Sequence, residues 1–162
     1  MTRRSAQPSW DGLARVWRSP QGVTLLLGDN SNALAAASGE CGDGDMTTLS
    51  VRHIISVGNS EKTRQVSKMC EEKDVQDVRH ARCMMPDRLR SDAEISIDES
   101  YEPLVMLSAA FAACEEAVAS KAEADPQAAV LVHCDMGHNR SPSLVLAFLL
   151  MRGLSLREAY RT

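Results

Sequence analysis

The sequence predicts an α/β domain, a mostly parallel central sheet flanked by helices, and three observations carry that expectation. Short apolar runs at 23–27, 53–57 and 129–132 have the length of strands, and the last is nearly all apolar, as a strand covered on both faces must be. Stretches of helical spacing alternate with them, the clearest running from 101 to about 122 with Leu104, Leu107, Phe111 and Cys114 three and four residues apart. Finally, 162 residues suit one domain with a full core. Alternating strands and helices give a sheet whose connections pass through helices on its faces.

Each element follows from local chemistry. Residues 1–12 are polar and expected to be a flexible segment, with Trp10 and Trp17 able to tuck back onto the body; the folded domain is expected over 13–162. The run 23–27 ends in the turn Gly28-Asp29-Asn30, and 32–38 offers an alanine-rich helix. The glycine- and aspartate-rich stretch 39–45 is a loop. Its acidic spacing is partly that of a calcium loop, but it lacks the distal glutamate and flanking helices, so no metal is expected there. A buried strand at 53–57 is followed by a polar, partly helical stretch over 59–77. A third short strand is expected at 82–85, then a loop over 86–100 and the long helix. A turn around Pro126 precedes the strand at 129–132. There are no internal repeats.

Composition narrows the function classes. Apolar content of 44% and charged content of 25% are ordinary for a globular protein. A net charge of -4, with basic residues scattered, argues against nucleic acid as a partner. Five cysteines (Cys41, Cys70, Cys83, Cys114, Cys134) are an odd number without framework spacing, which suits a reducing compartment. No stretch approaches the ~18 apolar residues of a membrane span, and the polar start lacks the apolar core of a signal peptide. A cytoplasmic location, or a nuclear one, is the expectation, with no membrane partner.

The segment from Val130 to Ser143 carries the chemistry. An apolar strand runs into Cys134; five residues (Asp135, Met136, Gly137, His138, Asn139) separate it from Arg140, and Ser141-Pro142 then opens an apolar helix. Ser141 suits an N-cap and Pro142 the first helical position. A loop closed by a helix N-terminus binds anions, because unsatisfied N–H groups and the helix dipole favour negative charge. Arg140 adds a planar fork for two phosphate oxygens. The field that binds phosphate also stabilises a thiolate at its floor.

This stretch resembles the active-site signature of the cysteine-dependent protein phosphatases. The nearest class is the dual-specificity one, whose loop reads His-Cys-x-x-Gly-x-x-Arg-Ser; His133, Cys134, Gly137, Arg140 and Ser141 stand at those positions. The segments 23–29, 52–57 and 154–160 are similar to the family's early strand and turn, its next core strand and the helix after the site. The resemblance implies a phosphatase-like fold with no cofactor and no metal. It also implies a phosphorylated protein as substrate, carrying phosphotyrosine and phosphoserine or phosphothreonine.

Roles follow from the same resemblance. Cys134 is the nucleophile that forms a cysteinyl-phosphate, and Arg140 holds the transferred group. Ser141 donates its hydroxyl to the sulfur as it departs, and His133 is buried and shapes the loop. Residues 135–140 line the substrate. A leaving group needs a proton, which the family draws from an aspartate after the third strand; Asp87 is the first choice, Asp92 the second, Asp98 a third candidate. Family members continue past the Leu-x-Glu-Ala-Tyr helix, so a shortened C-terminal helical part is expected, with oligomeric state open. Three other readings compete: a noncatalytic phosphopeptide-binding module on the same fold, an RNA 5′-triphosphatase, and a sulfur transferase. A zinc site from His133, Cys134 and His138 lacks a fourth ligand at a familiar spacing. A reactive thiolate is also open to oxidation, with Cys41 or Cys83 as candidate disulfide partners.

Overall fold

The computed structural model describes residues 11–39, 49–73, 78–85, 97–120 and 127–162, with 97–101 placed only as helix backbone. The described elements are β1 (Ala14–Arg18), β2 (Thr24–Gly28), α1 (Asn30–Ser38), β3 (Ser50–Val57), α2 (Glu61–Lys73), β4 (Arg79–Cys83), α3 (Ile97–Ala119), β5 (Ala128–His133), α4 (Arg140–Met151) and α5 (Leu156–Ala159). The strands form one sheet in the order β1-β2-β5-β3-β4, with β1 antiparallel to β2 and the other pairs parallel. The expected α/β architecture is therefore the observed one.

The strand order positions the site. β2 and β3 are separated by the width of one strand, and β5 fills that gap later in the chain. Since β2, β3 and β5 are parallel, the loop leaving β5 emerges between the carboxyl ends of both neighbours. That crevice is where ligands bind in open α/β sheets. All six residues of β5 are buried, which explains the apolar run over its first five, Ala128 to Val132.

Side chains alternate across the sheet, so the two faces carry different cores. Val130, Val132 and Cys134 join Leu107, Phe111, Leu144 and Phe148 on the α3/α4 face. Ala129 and Leu131 join Leu34, Ala37, Ile54 and Val66 on the α1/α2 face. Trp17 of β1 stacks on Phe111 and Phe148, with ring centroids 5.7 and 6.3 Å away.

Several boundaries differ from the sequence expectation. The edge strand β1 was not expected, because two of the five residues of ARVWR are arginines, Ala14 is exposed, and Val16 and Trp17 are only partly buried. α1 starts two residues early: Asp29 accepts from the amides of Ser31 and Asn32, and the Asn32 side chain accepts from the Asp29 amide. The third strand lies at Arg79–Cys83 rather than 82–85, since Arg79 and His80 pair in register with His53 and Ile54. An edge strand tolerates those polar side chains. α3 begins at Ile97, so Pro103 sits inside it and removes one intrahelical hydrogen bond.

Candidate active site

β5 delivers His133 and Cys134 to the crevice, and α4 begins at Arg140, so residues 135–139 form a loop closed by a helix start. The loop can fold this tightly because Gly137 adopts φ 70°, a left-handed conformation suited to glycine. A Cβ there would also lie 3.0 Å from the carbonyl oxygen of Gly28, so the loop rests on the end of β2.

The sulfur of Cys134 is the focus of the loop's donors. It is almost fully buried, which by itself pushes a thiol pKa up. Against this, the Ser141 hydroxyl donates to Sγ at 3.1 Å, and the amides of Ser141, Met136 and Gly137 point at the same atom. These donors outweigh burial and hold the thiol below its ordinary value of 9. The sequence expectation for Ser141 needs correction here. The helix starts at Arg140, Asn139 occupies the N-cap position without its side chain capping the helix, and the Ser141 hydroxyl serves the sulfur instead of the helix end. Pro142 accordingly lies two residues inside the helix start rather than at its first position.

Arg140 closes one side. Its guanidinium lies over Gly58 at the end of β3, where a Cβ would overlap Nη1, and Gly58 has φ 127°. The Asp135 carboxylate pairs with Arg140 Nη2 at 3.4 Å and accepts from the Ser60 hydroxyl at 2.5 Å. Ser60 also accepts from the Thr63 amide at the start of α2, so the β3–α2 turn is tied to the loop. Gly58 and Ser60 were not singled out from sequence, although Gly58-Asn59-Ser60 after an apolar run is a turn signal.

The remaining loop residues face outward: Met136, His138 and Asn139 are exposed. His138 and Asn139 border a cleft of about 340 Å³ that also touches Val16, Leu27, Pro142 and Tyr160, beside rather than over Cys134. His133 is fully buried, with Nε2 against the Ser56 hydroxyl at 2.5 Å and Nδ1 against the Cys134 carbonyl at 3.3 Å. Both its nitrogens are engaged, which removes it from the zinc alternative. Among the described residues, no three His, Cys, Asp or Glu side chains cluster as a metal site requires. Asp87 and Asp92 lie outside the described residues, and Asp98 falls in the first turn of α3.

Cys83 ends β4 opposite Val57, and continuing the β3–β5 register puts Cys134 on the other side of Val57. Two strand spacings make roughly 9–10 Å, beyond the ~7 Å at which a disulfide closes without backbone movement. Cys83 is therefore no partner for Cys134 in this conformation; Cys41 lies outside the described residues.

The family comparison agrees with this geometry: the dual specificity phosphatase catalytic domain matches residues 39–162. The chain belongs to that family. Its fold is similar to a solved protein titled "Crystal structure of Tk-PTP in the active form", with TM-score 0.52 and 18% identity over 93% of this chain and 80% of that one. No curated protein matches the chain. As a member of this phosphatase family, the chain is a hydrolase acting on phosphorylated substrate. Among the described residues, no helix is long and apolar enough to cross a membrane.

Proposed function

We propose that the chain is a dual-specificity protein phosphatase that works through a cysteinyl-phosphate on Cys134. The observation that carries this reading is the convergence of the Ser141 hydroxyl, two loop amides and one amide of the helix start on one buried sulfur. The Cys134 thiolate attacks phosphorus, forming an S–P bond as the P–O ester bond breaks. The departing phenoxide or alkoxide takes a proton from Asp87. Water then attacks phosphorus and gives a proton to the Asp87 carboxylate, the S–P bond breaks, and the electron pair returns to sulfur, where the Ser141 hydroxyl stabilises it. Arg140 and the loop amides of residues 135–140 hold the equatorial oxygens, whose charge needs fixed donors in the transition state.

Asp135 supports a monoester substrate. Its carboxylate pairs with Arg140 Nη2 at 3.4 Å, a negative charge beside the proposed phosphate-binding guanidinium that disfavours a second phosphate. A phosphoprotein side chain carries one phosphate; a triphosphate or polyphosphorylated head group carries more.

The test is hydrolysis of p-nitrophenyl phosphate in the presence of chelator, followed by peptides bearing each phosphorylated hydroxyl residue. Turnover is expected with chelator present, and Cys134→Ser should lower it about 10⁴-fold or more. Undiminished turnover by Cys134→Ser, or turnover only with added metal, overturns the mechanism. Hydrolysis of phospholipid but no phosphopeptide overturns the substrate class.

A further inference from the structure

A second polar system lies on the opposite face of the sheet from the Cys134 sulfur. It consists of Ser67 on α2, His80 on β4, Ser56 on β3 and His133 on β5. Ser67 Oγ lies 3.3 Å from His80 Nδ1, and His80 Nε2 lies 2.8 Å from Ser56 Oγ. Ser56 Oγ also meets His133 Nε2 at 2.5 Å, and His133 Nδ1 meets the Cys134 carbonyl at 3.3 Å. Ser56 and His133 are fully buried, where a misdirected hydrogen bond is costly.

Donor and acceptor counting gives this chain one direction. A carbonyl only accepts, so His133 must carry its proton on Nδ1. In a neutral ring Nε2 is then bare and accepts the single hydrogen of Ser56. Having spent that hydrogen, Ser56 can only accept from its other neighbour, so His80 must be protonated on Nε2. His80 Nδ1 is then bare and accepts the Ser67 hydroxyl. Both rings are neutral at pH 7, because burial lowers each from 6.5 to about 4. Arg82 adds to this at His80; His80 does so at His133, against a backbone bond, Asp135 and Asp29.

We propose that Ser56 and His80 are positioning residues: they fix the His133 tautomer, and through the Cys134 carbonyl they hold the loop amides on the sulfur. Rotation of the Cys134–Asp135 peptide would turn the following amides of Met136 and Gly137 away from Sγ. The inference builds on Cys134 as nucleophile, and it assigns roles to Ser56 on β3 and His80 on β4, on the opposite face of the sheet from the sulfur.

Imidazole nitrogen NMR of the histidine-labelled wild-type protein at pH 7 tests the direction without any substitution. His133 should be protonated on Nδ1 alone and His80 on Nε2 alone; His80 protonated on Nδ1, or His133 on Nε2, overturns the proposal. The second arm is the pH dependence of iodoacetate alkylation at Cys134, read by peptide mass, with kcat and KM for p-nitrophenyl phosphate. Ser56→Ala and His80→Phe should raise the alkylation midpoint by about half a pH unit and lower kcat about tenfold at little-changed KM. His80→Gln, whose amide replaces the Nε2 donor, should restore much of both. An unchanged midpoint in Ser56→Ala, or His80→Gln no better than His80→Phe, overturns the positioning role. If wild-type turnover is absent, the tautomers and alkylation midpoints still decide this inference, separately from the phosphatase reading.

Discussion

The two faces of the sheet are built from different material, and the active loop straddles them. The α3/α4 face is aromatic: Trp17, Phe111 and Phe148 pack together, with Phe111 and Phe148 centroids 5.1 Å apart. The Arg152 guanidinium lies 5.4 Å from the Trp17 ring centroid and pairs with Glu115 at 2.5 Å. The α1/α2 face is made of alanines, small aliphatics and the serine–histidine chain. Consecutive residues split between them: His133 belongs to the polar wire, and the Cys134 sulfur to the apolar side. Apolar packing sets the depth of the sulfur, while hydrogen bonds behind it set the orientation of its peptide.

Substitutions can break this division of labour. The largest effect on stability should come from Phe148→Ala, which empties the centre of the aromatic face and costs about 3–5 kcal/mol; Leu34→Ala on the opposite face should cost about 2–3 kcal/mol. Urea midpoints measure both. Equal losses would mean that the faces do not differ in packing. Next, Gly58→Ala places a methyl where the Arg140 guanidinium lies and forces a side chain onto φ 127°. It should lower kcat/KM about 10²-fold by displacing that fork, with stability falling by only about 1 kcal/mol. Unchanged kinetics would show that Arg140 does not depend on this floor.

The polar face also responds to pH. His80 and His133 titrate near 4 in the folded protein, below the unfolded 6.5, and His53 is also lowered by burial and by Arg79. The unfolded chain therefore binds more protons between about 6.5 and 4, and stability falls as pH falls through that window. His80 and His133 each contribute about 1.4 kcal/mol per pH unit within it. Urea denaturation at pH 7, 6 and 5 measures the slope. A stability independent of pH over that range would remove the neutral histidines from the polar face.

What could be read in advance differs between the faces in the same way. The Cys134–Arg140 loop and the central strand were legible because their residues are contiguous and their chemistry is local. Ser141 was placed in the right loop with two uses open, and only the folded geometry shows its hydroxyl on sulfur rather than on the helix end. The serine–histidine chain was invisible: Ser56 and His133 are 77 residues apart, and Ser56 and His80 are 24 apart. β1 escaped because an edge strand packs only one side and its sequence ARVWR carries two arginines. α1 was read two residues short because asparagine usually signals a turn, whereas buried Asn30 and Asn32 here open a helix capped by Asp29.

The most direct test is the rate of Cys134 alkylation by iodoacetate as a function of pH in the unmodified chain. Donors converging on the sulfur predict a midpoint clearly below the ordinary thiol value of 9, with Cys70 and Cys83, which burial raises to about 11 and about 12, reacting far more slowly. A midpoint at or above 9 would contradict the account, because a protonated sulfur in that loop is neither the nucleophile nor the reason for the cradle around it.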